Sequence, residues 1–241
     1  VYTTENSGLP CNNVYALAFD AQGNLWIGTG ELLGAGGGLA KFDGANWTVY
    51  TTGNSGLPSK DVCALAFDAQ GNLWIGTYGG GLARFDGANW TVYNRGNSGL
   101  PYSTVVPLTF DGQGNIWIGT VEPICGSEGG GLAKFDGENW TVYNKANSGL
   151  PSNDVWALAF DAQGNLWVGT GDDFHPGEGG LAKFDGENWT VYHTSNSPLT
   201  WHMVTSLSID AQDNVWMGMA SGHTTTGGVA RFDGGTWTVY N

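Results

Sequence analysis

Carboxylates and a histidine crowd together in GDDFHPGEGG (171–180), where Asp172, Asp173, His175 and Glu178 share one short stretch. Such a set could hold calcium through its oxygens, or exchange a proton with a substrate. The DxDxDG spacing of a dedicated calcium loop is absent. Glu31, Glu122 and Glu128 lie in comparable Gly-rich stretches, which are usually solvated. His175, His202 and His223, joined by a carboxylate, could bind zinc or serve a lyase, yet no HExxH-type spacing accompanies them. There is no GxSxG elbow, phosphate-cradling loop or Cys–His pairing. Cys11, Cys63 and Cys125 are odd in number and form no CxxC, so they read as small free thiols. The expectation is a protein with no metal, no cofactor and no catalytic residue.

A different set of residues points to recognition. Tyr15, Tyr78, Tyr102, Phe174, Trp156 and Trp201 are aromatic residues that occur once each at their places in a chain that otherwise repeats itself. Asn12, Asn153, Asp61, Asp154, His175 and His202 accompany them with hydrogen-bonding groups. What brings them together is the repeat.

NSGLPSNDVWALAFDAQGNLWVGT (147–170) recurs nearly unchanged along the chain. Its first Trp falls at Trp26, Trp74, Trp117, Trp167 and Trp216, at spacings of 48, 43, 50 and 49. Each copy parses as four short strands: VYALAFD (14–20), LWIGT (25–29), GLAKFD (38–43) and WTVY (47–50). The turns AQGN and GAN carry Gly beside Asn or Asp, as tight hairpins require. One such unit cannot bury its aromatic face alone, and stacking units around an axis can. The predicted fold is therefore all-β: a single five-bladed β-propeller over 1–241 with four antiparallel strands per blade. The blades span roughly 9–50, 57–93, 100–143, 150–192 and 199–240, with 1–8 a boundary segment. WTVY at 237–240 is expected to form the outer strand of the last blade, with Val1–Tyr2 nearby. The alternatives are a fragment of a longer array, or a ring completed by a second chain.

The copies disagree in one region. Between the second and third strands the loops hold 9, 4, 11, 10 and 9 residues, whereas the other connections are constant. In an antiparallel blade this loop opens on the same side as the linker between blades. The lead-in to the first strand varies too: Cys11, Ser59, Tyr102, Ser152 and Trp201 share one slot, and Asn12, Lys60, Ser103, Asn153 and His202 the next. Asn13, Asp61, Thr104, Asp154 and Met203 follow, then a constant Val, then Tyr15, Cys63, Val106, Trp156 and Thr205. Large aromatics with polar neighbours suit a binding surface better than loop drift does.

The pattern DAQGNLWIGT…GGLAKFDG…WTVY resembles the two-component regulator propeller repeat of bacterial extracytoplasmic sensors. The resemblance covers essentially the whole chain. It implies a propeller, usually seven-bladed in that family, often sensing glycans ahead of a membrane-spanning kinase, and a periplasmic or secreted location. This chain holds five repeats and no immunoglobulin-like, transmembrane or kinase segment.

Composition sets further bounds. A net charge of −14 disfavours nucleic acid and anionic membranes, and no apolar stretch approaches the ~20 residues that cross a bilayer. Five of the eight basic residues (Lys41, Arg84, Lys134, Lys183, Arg231) occupy one slot before FD and read as solvated strand ends. The first residue is not Met, so an excised piece is expected. The leading functional reading is a monomeric, non-catalytic recognition module. Its one asymmetric site lies on the variable face near the axis, and its ligand is a glycan or a peptide or protein. The alternatives are a lectin with five equivalent inter-blade sites, a protein scaffold, and a lyase or hydrolase using His, Asp and Glu of the variable loops.

Overall fold

The computed structural model describes residues 1–31, 36–122, 130–172, 177–220 and 227–240. Among the described residues twenty strands form five sheets of four, as expected. The first sheet holds β1 (Val14–Phe19), β2 (Leu25–Gly30), β3 (Gly37–Phe42) and β4 (Trp47–Tyr50). The second holds β5 (Val62–Phe67), β6 (Leu73–Thr77), β7 (Gly81–Phe85) and β8 (Trp90–Tyr93). The third holds β9 (Val105–Phe110), β10 (Ile116–Thr120), β11 (Gly131–Phe135) and β12 (Trp140–Tyr143). The fourth comprises β13 (Val155–Phe160), β14 (Leu166–Gly171), β15 (Gly179–Phe184) and β16 (Trp189–Tyr192). The fifth comprises β17 (Met203–Ile209), β18 (Val215–Ala220), β19 (Gly227–Phe232) and β20 (Trp237–Tyr240). Strands run in sequence order in every sheet, so WTVY at 237–240 does supply the outer strand of the last blade. The chain forms two compact units, Val1–Leu108 and Thr109–Asn241, and β9 runs across the division.

A carboxylate locks the first hairpin of each blade. Asp20 accepts hydrogen bonds from Trp26 Nε1 at 3.0 Å, Asn24 Nδ2 at 2.7 Å and the Asn24 backbone at 2.8 Å. Asp68, Asp111, Asp161 and Asp210 do the same for Trp74, Trp117, Trp167 and Trp216. Burial disfavours the charged form of Asp20, but the Trp26 and Asn24 hydrogen bonds outweigh it and hold the carboxyl down at about 2. At Asp210 the Trp216 and Asn214 side chains bring it to about 2.

The basic slot differs from the expectation of free strand ends. Lys41 Nζ lies 5.2 Å from the Trp26 ring centre and 3.7 Å from Asp20, and Lys183 stands likewise over Trp167 and beside Asp161. The part-exposed ammonium thus lies over the indole and beside the carboxylate, a cation–π and an ion-pair role together.

Neighbouring blades within each unit meet through aromatic residues and a glycine. Trp26 packs edge-on against Phe67 at 6.1 Å, and Tyr50 covers Phe85 and Trp90 at 5.6 and 5.9 Å. The same pattern recurs for Tyr143 on Phe184 and Trp189, and for Tyr192 on Phe232 and Trp237. Gly28 and Gly169, the glycines of the GT pair, face Val62 and Val204 of the next blade, where any side chain would collide with backbone. The AQGN turn needs a left-handed residue, with Gly164 at φ 83°. In the fifth copy Asp213 adopts φ 65° there, and its Oδ1 accepts the Ala162 N–H at 2.9 Å from the adjacent turn, a contact that offsets the strain.

Candidate functional site

The lead-in residues prove to be engaged with the scaffold as well as variable. Asn12 Oδ1 accepts the Thr4 N–H at 2.8 Å, and Asn153 Oδ1 accepts that of Lys145 at 2.9 Å. Ser103 Oγ does the same for Arg95 at 3.3 Å. This slot thus closes the linker turn in the copies that carry Asn or Ser there. The next slot anchors the preceding blade's variable loop. Asp61, buried, takes the Glu31 N–H at 2.7 Å, Thr104 Oγ1 takes that of Gly79 at 3.2 Å, and Asp154 takes that of Glu122 at 2.9 Å. The fifth blade has Met203 here, and it packs against Gly171. A ligand approaching Asp61 or Asp154 therefore meets carboxylates already committed to the loops.

The most variable slot has a structural explanation that sequence reading missed. Val14 pairs with Thr29 and Ala16 with Gly28, so Tyr15 has no cross-strand partner: it is a β-bulge. The register breaks at the same place around Cys63, Trp156 and Thr205. A bulged residue is released from the pairing that constrains its neighbours, and the bulge re-aims its side chain. Identity is free at this slot because the ladder does not use it.

Two clusters result, one in each unit. In the first unit Tyr15 and Tyr78 lie around Asp61 and Cys63, with Tyr102 beside Tyr78 and under the Arg95 guanidinium at 5.9 Å. Burial, then the Asp61 carboxylate, raises the Tyr15 hydroxyl above its ordinary value. Burial pushes the Cys63 thiol up to about 12, so it is no nucleophile near neutral pH. Cys11 is buried and donates to the Gly30 carbonyl at 3.4 Å. Both thiols are free, as read from the sequence, while Cys125 lies outside the described residues.

In the second unit the Trp156 indole N–H donates to the Gly171 carbonyl at 2.8 Å, fixing the ring over the root of the variable loop. Trp201 packs on the apolar core formed by Trp167, Val204 and Met217. Its Nε1 and the Nε2 of the adjacent His202 are both buried, and neither has a hydrogen-bond partner. Phe174 and His175, with Asp173, Glu128 and His223, lie outside the described residues. Among the described residues no three His, Cys, Asp or Glu side chains converge to hold a metal ion.

A cleft of about 490 Å³ opens in the second unit beside the linkers, lined by Lys145, Glu178, His193 and Ser195 among others. Lys145 and Glu178 form an ion pair across it, and Ser195 Oγ lies 2.7 Å from His193 Nδ1. Of these only Glu178 was singled out by its sequence. The signal available was the linker slot itself, which reads Thr51, Asn94, Asn144 and His193 in successive copies.

The two-component regulator propeller family matches residues 8–31, 56–79 and 149–172, each spanning the lead-in, the locked hairpin and the root of the variable loop. The chain carries two-component regulator propeller repeats. No curated protein matches it. Among solved structures, the repeats are similar to the extracellular domain of hybrid two component system BT3049 from B. thetaiotaomicron, at 23% identity and a TM-score of 0.73 over 95% of this chain. They also resemble the extracellular domain of one component system BT4673 from the same organism, at 20% identity and a TM-score of 0.71 over 95% of this chain. The chain spans only 28% and 31% of those two proteins' lengths. A virginiamycin B lyase from Staphylococcus aureus, solved with quinupristin as its inactive H270A form, matches at 16% identity and a TM-score of 0.65. That match covers 95% of this chain and 69% of the lyase. Identities this low carry the fold alone.

Proposed function

We propose that these repeats form a non-catalytic recognition module of an extracytoplasmic sensor, binding a glycan or a peptide on the side of the blades where linkers and variable loops open. One observation carries this reading: Trp201 Nε1 and His202 Nε2, on consecutive residues, are each buried and unpartnered. A buried polar atom without a partner is unfavourable by about 1–3 kcal/mol. Two on consecutive residues, in slots that differ from every other copy, are what a ligand supplying hydroxyl or carbonyl groups would satisfy. Trp156, with its indole fixed, and Tyr15, Tyr78 and Tyr102 offer further ring surface on the same side of their blades. Phe174 and His175 belong to the same proposed surface by sequence position. The sensor role is supported by the likeness to the BT3049 and BT4673 extracellular domains.

The variation among copies favours sites that differ from blade to blade over five equivalent lectin pockets, since a pocket repeated in every blade would be built from template residues. The test is a glycan and peptide library screened by calorimetry, followed by Trp201→Phe and His202→Ala. Each variant should weaken the identified ligand by roughly 5- to 150-fold, the loss of one hydrogen bond of about 1–3 kcal/mol. Unchanged affinity in both variants would refute the site. Turnover of the bound molecule would move the protein to the enzyme class.

A further inference from the structure

The cleft beside the linkers of the fourth blade collects departures from the repeat. Lys145 stands where earlier copies carry Thr4, Thr52 and Arg95, and Glu178 where they carry Gly36, Gly79 and Gly129. His193 replaces Thr51, Asn94 and Asn144, and Ser195 replaces Gly53, Gly96 and Ala146. These residues come from three places in the chain: the linker entering the blade, its variable loop and the linker leaving it. All of them line one space of about 490 Å³, enough for a small organic molecule.

The length of the variable loop accounts for the space. In the second blade that loop has 4 residues, and Gly80 lies so close to the linker that a Cβ there would stand 2.9 Å from the Pro58 carbonyl carbon. The fourth blade's loop has 10 residues. There Gly179, in the place of Gly80, lies instead against the next blade, where a Cβ would be 2.5 Å from the His202 carbonyl oxygen. Pro151, the counterpart of Pro58, is left lining the cleft with Val191.

The walls carry opposite charges. The Lys145 ammonium and the Glu178 carboxylate pair with each other, on side chains 41% and 44% exposed. An ion pair this exposed contributes little, so a ligand that brings both charges displaces it readily. Ser195 Oγ lies 2.7 Å from His193 Nδ1, and a neutral imidazole that accepts this hydroxyl carries its proton on Nε2, a donor suited to a carboxylate. Pro151 and Val191 add a small apolar surface. We infer that the cleft binds a small zwitterion of amino-acid or dipeptide size. The ligand carboxylate takes Lys145 and His193, its ammonium takes Glu178, and its apolar side chain rests on Pro151 and Val191. Neither Trp201 nor His202 lines this cleft, so the site is independent of the recognition surface those two mark.

Calorimetric titration of the 241-residue chain with leucine and with glycyl-leucine tests it. At least one should bind with a Kd below about 1 mM. The N-acetylated and the amidated forms of the tighter ligand, each short of one charge, should bind about tenfold more weakly. Glu178→Gln should lose the same factor, and acetylation of the ligand should then cost nothing further. Lys145→Thr, Glu178→Gly, His193→Asn and Ser195→Ala together restore residues that other copies carry. That quadruple variant should keep the wild-type circular dichroism and lose binding; if it does not fold, Glu178→Gln alone decides. A preference of about fivefold or more for glycyl-leucine makes the ligand a short peptide, and its absence a free amino acid; the site stands in either case. No binding of either up to about 10 mM, equal affinity for the blocked forms, or binding that survives the quadruple variant overturns the proposal. Binding that falls only in Trp201→Phe places the zwitterion elsewhere and overturns it too.

Discussion

Replacing Gly169 by alanine should wedge the fourth and fifth blades apart. A Cβ at Gly169 would lie 2.6 Å from the Val204 carbonyl oxygen, 2.9 Å from Val204 Cγ1 and 3.2 Å from Ala157 Cβ. The first distance is about 0.8 Å short of ordinary contact, a gap at which repulsion dominates. The Val204 methyl could rotate away, but its carbonyl belongs to a strand paired with Met219 and cannot. Overpacking of this kind costs about 1–3 kcal/mol, and loss of glycine freedom in the unfolded chain returns about 0.4–1. The net destabilisation is about 1–2 kcal/mol, or roughly 3–8 °C in Tm for a unit of this size. Urea unfolding followed by tryptophan fluorescence measures it. Gly164→Ala is the control, with φ 83° and nothing within 4 Å of the new methyl, so its loss comes from backbone conformation alone. Val204→Ala should leave most of the Gly169→Ala cost in place, because the carbonyl oxygen stays. Gly169→Ala within about 0.5 kcal/mol of wild type would refute the close-approach argument.

Acid should unfold the protein through its hairpin locks. The folded carboxyls of Asp20 and Asp210 titrate at about 2 and those of Asp68, Asp111 and Asp161 are also lowered, against about 3.9 when unfolded. The unfolded chain takes up protons first, so this stability is complete above about pH 4 and fades as pH falls toward 2. Circular dichroism against pH should show it, and Trp167→Phe, which removes the 2.9 Å bond to Asp161, should cost about 1–3 kcal/mol and raise the acid midpoint. A flat profile from pH 5 to about pH 2 would contradict the lock. The Cys63 thiol, pushed up to about 12 by burial and then by Asp61, should alkylate at pH 8 about a hundredfold or more slowly than in the unfolded chain, by peptide mapping. Ready labelling in the native protein would show that its surroundings are open.

The sequence alone determined the number of blades, the four strands in each and the pairing of WTVY at 237–240 with the last sheet. Those features rest on local periodicity, on turn residues that permit few backbones, and on a repeat that shows each choice five times over. It also marked which slots vary. Tertiary structure decided what the variation means. Asp61 and Asp154 read as ligand groups because a sequence does not show that the Glu31 and Glu122 amides of preceding loops reach them first. Tyr15 and Trp156 look like ordinary strand residues until the pairing of Val14 with Thr29 and Ala16 with Gly28 exposes the bulge. Likewise Lys41 reads as a solvated end, and only packing places its ammonium over Trp26. Conversely, the unpartnered nitrogens of Trp201 and His202 are visible only as burial without a bond. Strand and turn depend on neighbours a few residues apart, which the sequence records. Satisfaction of a polar atom, or cover for Phe67, depends on groups brought from another blade, and only folding supplies them.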